Sequence, residues 1–237
     1  FHGRRANQEI LERKGSGYVA SHGKDMLLAK DPWFRGMELG SGPDGAVFVL
    51  DWSDAGECHE HTGVHRTSGR IFKVRNTKPL VSSGPTDLAT WSLPRLVNTH
   101  VGRNDWQTRQ ARLELARRRL TSDITSSYPL LNALLDSPNS TPSTKVQALL
   151  TLHVIGGTTP AILRGLSNVE QESLRSWSIR LLTDTWPLDD AIGPAPSGKA
   201  DRSRVQKQAR ELMQHLLAMA NHDPSALVRL SLASTLQ

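Results

Sequence analysis

The sequence predicts a mixed fold in which a β-rich part precedes an α-helical part, with the change near residue 80. Glycine and aromatic residues concentrate before that point, where 11 of 18 Gly and seven of 12 aromatic residues lie. Short β-branched and aromatic runs there stand between turn-forming residues, as is typical of strands. Beyond residue 87 the apolar residues recur with the 3.6-residue period of helices. We predict a β-rich domain at 1–78, a linker at 79–87 and a helical domain at 88–237.

Two strands and a tight turn are predicted most clearly in the β-rich part. The strand signals are Ala46–Asp51 (AVFVLD) and Arg70–Val74 (RIFKV). Gly42–Gly45 (GPDG) is a turn sequence, because proline fixes φ, aspartate hydrogen-bonds its own backbone and glycine tolerates positive φ. We therefore expect antiparallel strands between about 33 and 75.

The helical part begins after a stretch of linker composition, PLVSSGPTD. Thr86 or Asp87 should cap a helix that continues to about Asn98, and Asn104 should cap the next. Further helices are predicted at 126–136, 143–155, 159–166, 169–184, 203–221 and 224–236. Trp106, Trp177, Leu181 and Val228 are expected to be buried.

Three of these helices repeat weakly. Each has a polar start, then an arginine (Arg109, Arg175 or Arg229), then an apolar helix. This pattern resembles the second helix of HEAT repeats, which stack as helix pairs into a curved α-solenoid.

Composition and charge exclude several classes of function. The net charge of +6 favours anionic partners, but the arginines at 103–119 spread around their predicted helix, and we do not expect nucleic acid as a partner. No apolar run approaches the roughly 18 residues of a membrane span. A single cysteine excludes an internal disulfide and any CxxC metal or CxxCH haem motif. The chain begins with Phe, and we expect it to be a fragment of a longer protein.

Three segments resemble a known family: HGRRANQEILERKGSGY (2–18), DPWFRGMELGSGPDGAVFVLDWSD (31–54) and CHEHTGVHRTSGRIFKV (58–74). They resemble the closing part of the β-propeller in the membrane-bound dehydrogenases of planctomycetes, relatives of glucose/sorbosone dehydrogenases. Members of that family continue into HEAT-like repeats, and many end in a c-type haem domain. The resemblance implies a fold of partial β-propeller blades followed by a HEAT-like α-solenoid.

The same resemblance implies the function of an exported, periplasmic dehydrogenase. That activity is oxidation of a sugar or polyol in a propeller funnel, with a quinone cofactor and with electrons passed to a haem domain outside this chain. Only one or two blades' worth of sequence is present, whereas a propeller needs roughly four to eight. We therefore expect the fragment alone to be inactive.

The loop after the second strand holds the densest set of reactive side chains. Cys58, His59, His61 and His65 carry thiol and imidazole groups that suit zinc, copper or iron. The alternative is a solvated polar loop, since no second cluster with ligand spacing supports a divalent metal.

Asp51, His65, Arg66 and Arg70 are the candidate catalytic residues. Asp51 could act as a base, and the cations could hold an anionic substrate or a quinone carboxylate. Alternatively, Asp51 holds a turn through backbone N–H bonds while Trp52 packs between blades, and Arg70 braces Asp51 or Asp54 across adjacent strands.

The candidate cofactor-binding residues are His2, Arg5 and His22. The first two belong to an HG-x-R-x-N stretch that is typical of the resembling family, where a structural role fits as well as a pocket role. His153 and His215 lie among apolar helix positions and are interpreted as core histidines. The alternative function for the whole chain is a non-catalytic scaffold that binds a protein partner on its helical surface.

Overall fold

The structure is a computed structural model that describes residues 3–55, 67–75, 87–184 and 202–235, with side chains from 210 onward in the last range. The chain forms two compact units. The first comprises Phe1–Glu12 and Val19–Thr121, and the second comprises Arg13–Tyr18 and Ser122–Gln237. Most of the predicted linker at 79–87 lies outside the described residues, and its role as a domain boundary stays a prediction.

Four strands precede residue 30. Strand β1 (Arg5–Ala6) pairs with β4 (Leu27–Leu28), and β2 (Glu9–Lys14) pairs with β3 (Gly17–His22). Every residue of β2 and β3 is exposed to solvent. Two strands alone are marginally stable in water, and no apolar face of this hairpin is covered by the described residues.

The three-stranded antiparallel sheet is the β structure with a buried face. It consists of β5 (Gly36–Ser41), β6 (Val47–Asp51) and β7 (Arg70–Val74), with β6 in the centre. Phe34 and Val49 are each 1% exposed and lie in its core. This part of the sequence prediction, including both strands, is confirmed.

The predicted turn between β5 and β6 is also confirmed. The amide of Gly45 donates a hydrogen bond to the carbonyl of Gly42 at 3.1 Å, and Gly45 has a φ of +76°. Asp44 accepts a hydrogen bond from the amide of Ala46 through Oδ1 at 3.2 Å. Glycine supplies the positive φ and aspartate the local acceptor, as the sequence predicts.

The helices of the first unit are α1 (Leu93–Asn98) and α2 (Asp105–Arg119). A short 3-10 helix at Leu88–Thr90 precedes α1, so the single helix predicted from residue 86 or 87 to Asn98 is wrong. Pro94 explains the break, because inside a longer helix it would lack an N–H donor and clash with the preceding turn. Asn104 caps α2 as predicted, with Oδ1 accepting the amide of Gln107 at 3.2 Å.

Six helices of the second unit appear in the ranges that the structure covers. They are α3 (Ser127–Asp136), α4 (Pro142–Val154), α5 (Pro160–Leu166), α6 (Glu172–Thr183), α7 (Arg202–His222) and α8 (Ala226–Thr235). Thr141 and Thr159 cap α4 and α5, and each precedes a proline, which needs no N–H partner at a helix start.

One hydrophobic cluster of the second unit forms where α6, α7 and α8 meet. Its buried residues are Ile179, Leu212, Leu216, Met219, Val228 and Leu232. Val228 is fully buried as predicted, whereas Trp106, Trp177 and Leu181 are only half-buried. Among the helices that the structure describes, we find none with the length and apolar character that a membrane span requires.

The predicted fold class, partial β-propeller blades followed by a HEAT-like α-solenoid, is wrong. A blade is a four-stranded sheet, whereas the strands within the described ranges form sheets of two, two and three strands without propeller closure. The helices are divided between two compact units instead of belonging to one solenoid. Strand and turn signals act over a few residues, and they do not specify how many strands a sheet will gather.

Candidate functional site

Asp51 and Arg70, two of the candidate catalytic residues, lie opposite each other on β6 and β7. The Asp51 side chain is 0% exposed, and its Oδ2 accepts a hydrogen bond from Arg70 Nε at 2.7 Å. Its Oδ1 accepts the amides of Arg35 at 2.7 Å and Ser53 at 2.9 Å. Arg70 also contacts Asp31, with Nη1 2.7 Å from Oδ2. Both oxygens of Asp51 are therefore occupied by partners that hold the end of the sheet together.

The electrostatics of this group match a brace between strands. Hydrogen bonds to Asp31 and Asp51 raise the pKa of Arg70 above its ordinary value. The amide of Trp33 and the guanidinium of Arg70 lower the pKa of Asp31. These shifts favour the charged forms of Arg70 and Asp31. Catalytic roles for Asp51 and Arg70 stay predictions, and the geometry is that of the bracing alternative.

Trp52 follows Asp51 but does not pack into the protein. Its side chain is 53% exposed, so the expectation that it packs between blades is wrong. The next residues turn inward, and the amide of Asp54 donates to the carbonyl of Trp33 at 2.9 Å. The alternation of a strand places Trp52 on the outer face because Asp51 occupies the inner one.

Arg5 and His22, two of the candidate cofactor-binding residues, meet at Asp25. Arg5 Nη1 lies 3.4 Å from Asp25 Oδ2, and His22 Nε2 lies 3.3 Å from Asp25 Oδ1. The other ring nitrogen of His22 lies 3.1 Å from Glu9 Oε1. Hydrogen bonds from His22 and then Asn7 lower the pKa of Glu9.

This cluster does not fit an anionic cofactor such as a quinone carboxylate, because Arg5 and His22 each already face a carboxylate within the described part. It also offers no metal centre: the described residues contain no group of three or more His, Cys, Asp or Glu side chains placed to hold a metal ion. A cofactor role for Arg5 and His22 stays a prediction.

The remaining candidate residues lie outside the described residues. They are His2 for cofactor binding, His65 and Arg66 for catalysis, and Cys58, His59, His61 and His65 for metal binding. Their proposed roles stay predictions.

The second unit contains an open groove of about 530 Å³. Its walls come from the α5–α6 connection, from the C-terminal turns of α7, and from the residues that precede α8. Lining side chains include Val169, Glu170, Ala218, Met219, His222 and Pro224. Pockets that bind small molecules or side chains have volumes of about 300–1,000 Å³ and largely apolar walls with a few polar groups. The groove has a volume in this range, and its lining combines apolar side chains with polar and charged ones.

Two hydrogen-bonded networks hold the walls of the groove. The guanidinium of Arg175 pairs with Asp223 and donates to the main-chain oxygens of Val169 and Glu170. On the other side, His215 Nε2 lies 2.8 Å from the hydroxyl of Ser167. These hydrogen bonds hold the three segments that line the groove in fixed positions relative to one another.

The Ser167–His215 pair is not a nucleophile and its base. Ser167 is 0% exposed, and its hydroxyl donates to the carbonyl of Arg164 at 2.8 Å. A serine hydroxyl has one proton to donate, so His215 must be the donor in its bond with Ser167. A base in that position would have to accept a proton instead.

Sequence reasoning missed the groove. His215 was interpreted as a core histidine, yet it is half-buried and lines the groove together with His222. The two histidines are seven residues apart, which places them on one face of α7. That spacing is the signal that could have indicated a polar face there. His153, also interpreted as core, is half-buried and lies 2.9 Å from the hydroxyl of Thr158 through Nδ1.

No protein-family model, no curated protein and no solved structure shows a significant match to the chain.

Proposed function

We propose that this chain is a protein-interaction module whose second unit binds a short segment of a partner protein in the groove between α7 and the α5–α6 connection. The observation that carries the proposal is an open groove of about 530 Å³ whose lining combines apolar side chains with polar and charged ones. This deepens the scaffold function, which is the alternative that the sequence analysis leaves open.

Preorganisation supports the proposal. The Arg175–Asp223 pair and the Ser167–His215 bond hold three segments of the second unit in place without a ligand. A site that is ordered before binding pays less conformational entropy when a flexible segment enters it. The apolar floor includes Met219, whose flexible thioether side chain adapts to irregular partners.

The test uses peptides, because the partner is not identified. A phage-displayed library of random heptapeptides is selected on the immobilised full chain, and enriched peptides are measured by fluorescence anisotropy. Ala218 is exposed and lines the groove, so Ala218→Tyr should fill it and weaken binding at least about tenfold. Ala220→Tyr is the matched control, since Ala220 is exposed on the same helix and is not among the lining residues.

Two outcomes would contradict the proposal. One is that no peptide is enriched above a blank surface. The other is that enriched peptides bind Ala218→Tyr as tightly as they bind Ala220→Tyr. Circular dichroism of both variants should match that of the parent chain, because neither position is buried.

The dehydrogenase function implied by the resemblance stays a prediction. It can be tested by assaying the protein for sugar and polyol oxidation with and without an added quinone. Under that function, His65→Ala or Arg66→Ala should abolish turnover while leaving the fold intact. Equal turnover by these variants would exclude the two residues as catalytic.

A further inference from the structure

The central strand of the three-stranded sheet carries apolar side chains on both of its faces. Val49 is buried on the inner face. Phe48, Leu50 and Trp52 lie on the opposite face, here called the outer face, because they follow one another at the two-residue period of a strand. An antiparallel sheet with one solvated face usually alternates apolar and polar residues. The run VFVL in β6 is instead typical of a strand that is covered on both faces.

The apolar side chains of the outer face form a contiguous patch. Leu50 lies directly opposite Ile71 of β7, and the Cβ atoms of such pairs are about 4.5–5.5 Å apart. Leu50, Trp52 and Ile71 are 41%, 53% and 71% exposed. Isolated exposed apolar residues are common, whereas a contiguous group that includes a tryptophan is typical of a surface that binds another protein.

The two edges of the outer face carry opposite charges. On β5, Glu38 lies opposite Leu50 and is exposed. On β7, Lys73 lies opposite Phe48 and is also exposed. Lys73 Nζ contacts Asp44 Oδ2 at 2.7 Å, but an ammonium group has three donors, so Lys73 can bind a second carboxylate. An acidic edge, an apolar centre and a basic edge therefore follow one another across the sheet.

We infer that the outer face packs against the outer face of a second copy of this chain in a symmetric dimer. In sheets that pack face to face with aligned strands, a twofold axis parallel to β6 places β5 of each copy over β7 of the other. The acidic edge with Glu38 then meets the basic edge with Lys73 twice, once on each side of the apolar centre. This inference is independent of the function proposed for the groove.

The size of the outer face determines how strong the dimer is. Three strands of this length cover roughly 14 by 17 Å. That area is smaller than a standard protein–protein interface, so we expect a reversible dimer with a dissociation constant in the high micromolar range.

Sedimentation equilibrium of the full chain at increasing concentration measures the association. Ile71→Glu places a charge in the centre of the outer face and should leave the chain monomeric throughout the range. Leu120→Glu is the matched control, because Leu120 is an exposed leucine near the end of α2 and does not belong to the sheet. Circular dichroism of both variants should match that of the parent chain, since neither position is buried.

Two charge variants test how the copies are arranged. Glu38→Lys and Lys73→Glu should each weaken association by about fivefold or more, because each variant brings like charges together on both sides of the interface. An equimolar mixture of the two variants should associate as the parent chain does, since each lysine then faces a glutamate.

Three outcomes would overturn the inference. The chain stays monomeric up to several hundred micromolar, or Ile71→Glu weakens the dimer no more than Leu120→Glu does, or the mixture associates no better than the separate charge variants. Loss of the dimer in Ile71→Glu, together with restored association in the mixture, supports it.

Discussion

Arg175 and Asp223 form a bidentate ion pair in the second unit, joining α6 to the residues that precede α8. Their side chains are 11% and 6% exposed. The same guanidinium donates to two carbonyls of the α5–α6 connection, at Val169 and Glu170. One side chain therefore joins three segments and forms a wall of the groove.

Removing Arg175 should destabilise the second unit strongly. Arg175→Leu leaves Asp223 buried without its cation and leaves two carbonyls without their donor, which should lower the free energy of unfolding by about 3 kcal/mol. Urea unfolding followed by circular dichroism measures this change. The control is Arg180→Leu on the same helix, where an exposed arginine loses only its contact with the Trp177 ring at 5.2 Å. Equal losses in the two variants would show that the ion pair contributes little.

Asp51 should matter for the stability of the three-stranded sheet. Asp51→Asn removes the charge that faces Arg70 and weakens two hydrogen bonds from backbone amides, so we expect a loss of about 2 kcal/mol in unfolding free energy. Asp31→Asn removes the other partner of Arg70, but that side chain is 31% exposed, so the loss should be smaller than at Asp51. Thermal unfolding of both variants shows which substitution lowers the stability more. A larger loss at Asp31 would contradict the brace centred on Asp51.

Arg117 and Arg118 provide a matched pair on α2. Both contact Glu114, at 2.7 Å from Arg117 Nη2 and 2.6 Å from Arg118 Nε, and they lower the pKa of Glu114 to about 2. Arg118 is 16% exposed and also donates to the carbonyls of Leu88 and Ala89, whereas Arg117 is 59% exposed. Arg118→Gln should therefore lower the free energy of unfolding by about 1–2 kcal/mol, and Arg117→Gln should lower it clearly less. Chemical denaturation distinguishes these values, and similar costs would refute a cross-element role for Arg118.

Acid should destabilise the first unit through His100. Burial, with a smaller effect from Arg112, lowers its pKa to about 4 from the ordinary 6.5, against hydrogen bonds to Val97 and Leu96 that raise it. In the unfolded chain His100 is protonated below about pH 6.5, whereas in the folded chain it is protonated only below about pH 4. The contribution to stability is present above pH 6.5 and is lost as the pH falls through this window.

Between pH 7 and pH 5 the loss from His100 should amount to about 2 kcal/mol. Urea unfolding at the two pH values measures it, and His100→Gln should remove most of the difference between them, because glutamine does not titrate. An unchanged pH dependence in His100→Gln would assign the acid sensitivity to another group.

Local features of the fold were predictable because their causes lie within a few residues. The β5–β6 turn follows from Pro43, Asp44 and Gly45, and the cap of α2 follows from Asn104. The fold class was not predictable in this way. The β2–β3 hairpin was missed since all its residues are exposed and show no apolar alternation, and the segmented start of α1 depends on the single residue Pro94.

The candidate site residues were likewise only partly predictable from the sequence. The pairing of Arg70 with Asp51 was one of two alternatives, and both fit the sequence equally well. The groove combines Glu170 with Ala218 and Pro224, which are about 50 residues apart, and nothing in either local segment marks them as neighbours.

By itself, the sequence determined where the chain is β and where it is helical, which residues turn or cap it, and which kinds of site its composition excludes. Those properties depend on backbone preferences and side-chain periods that act between near neighbours. Only the tertiary structure decided how many strands each sheet contains, that the helices divide between two units, and that Arg175 meets Asp223 across 48 residues. These three features depend on which apolar surfaces pack together and on which charged side chains come into contact. Both are determined by contacts between residues far apart in the sequence.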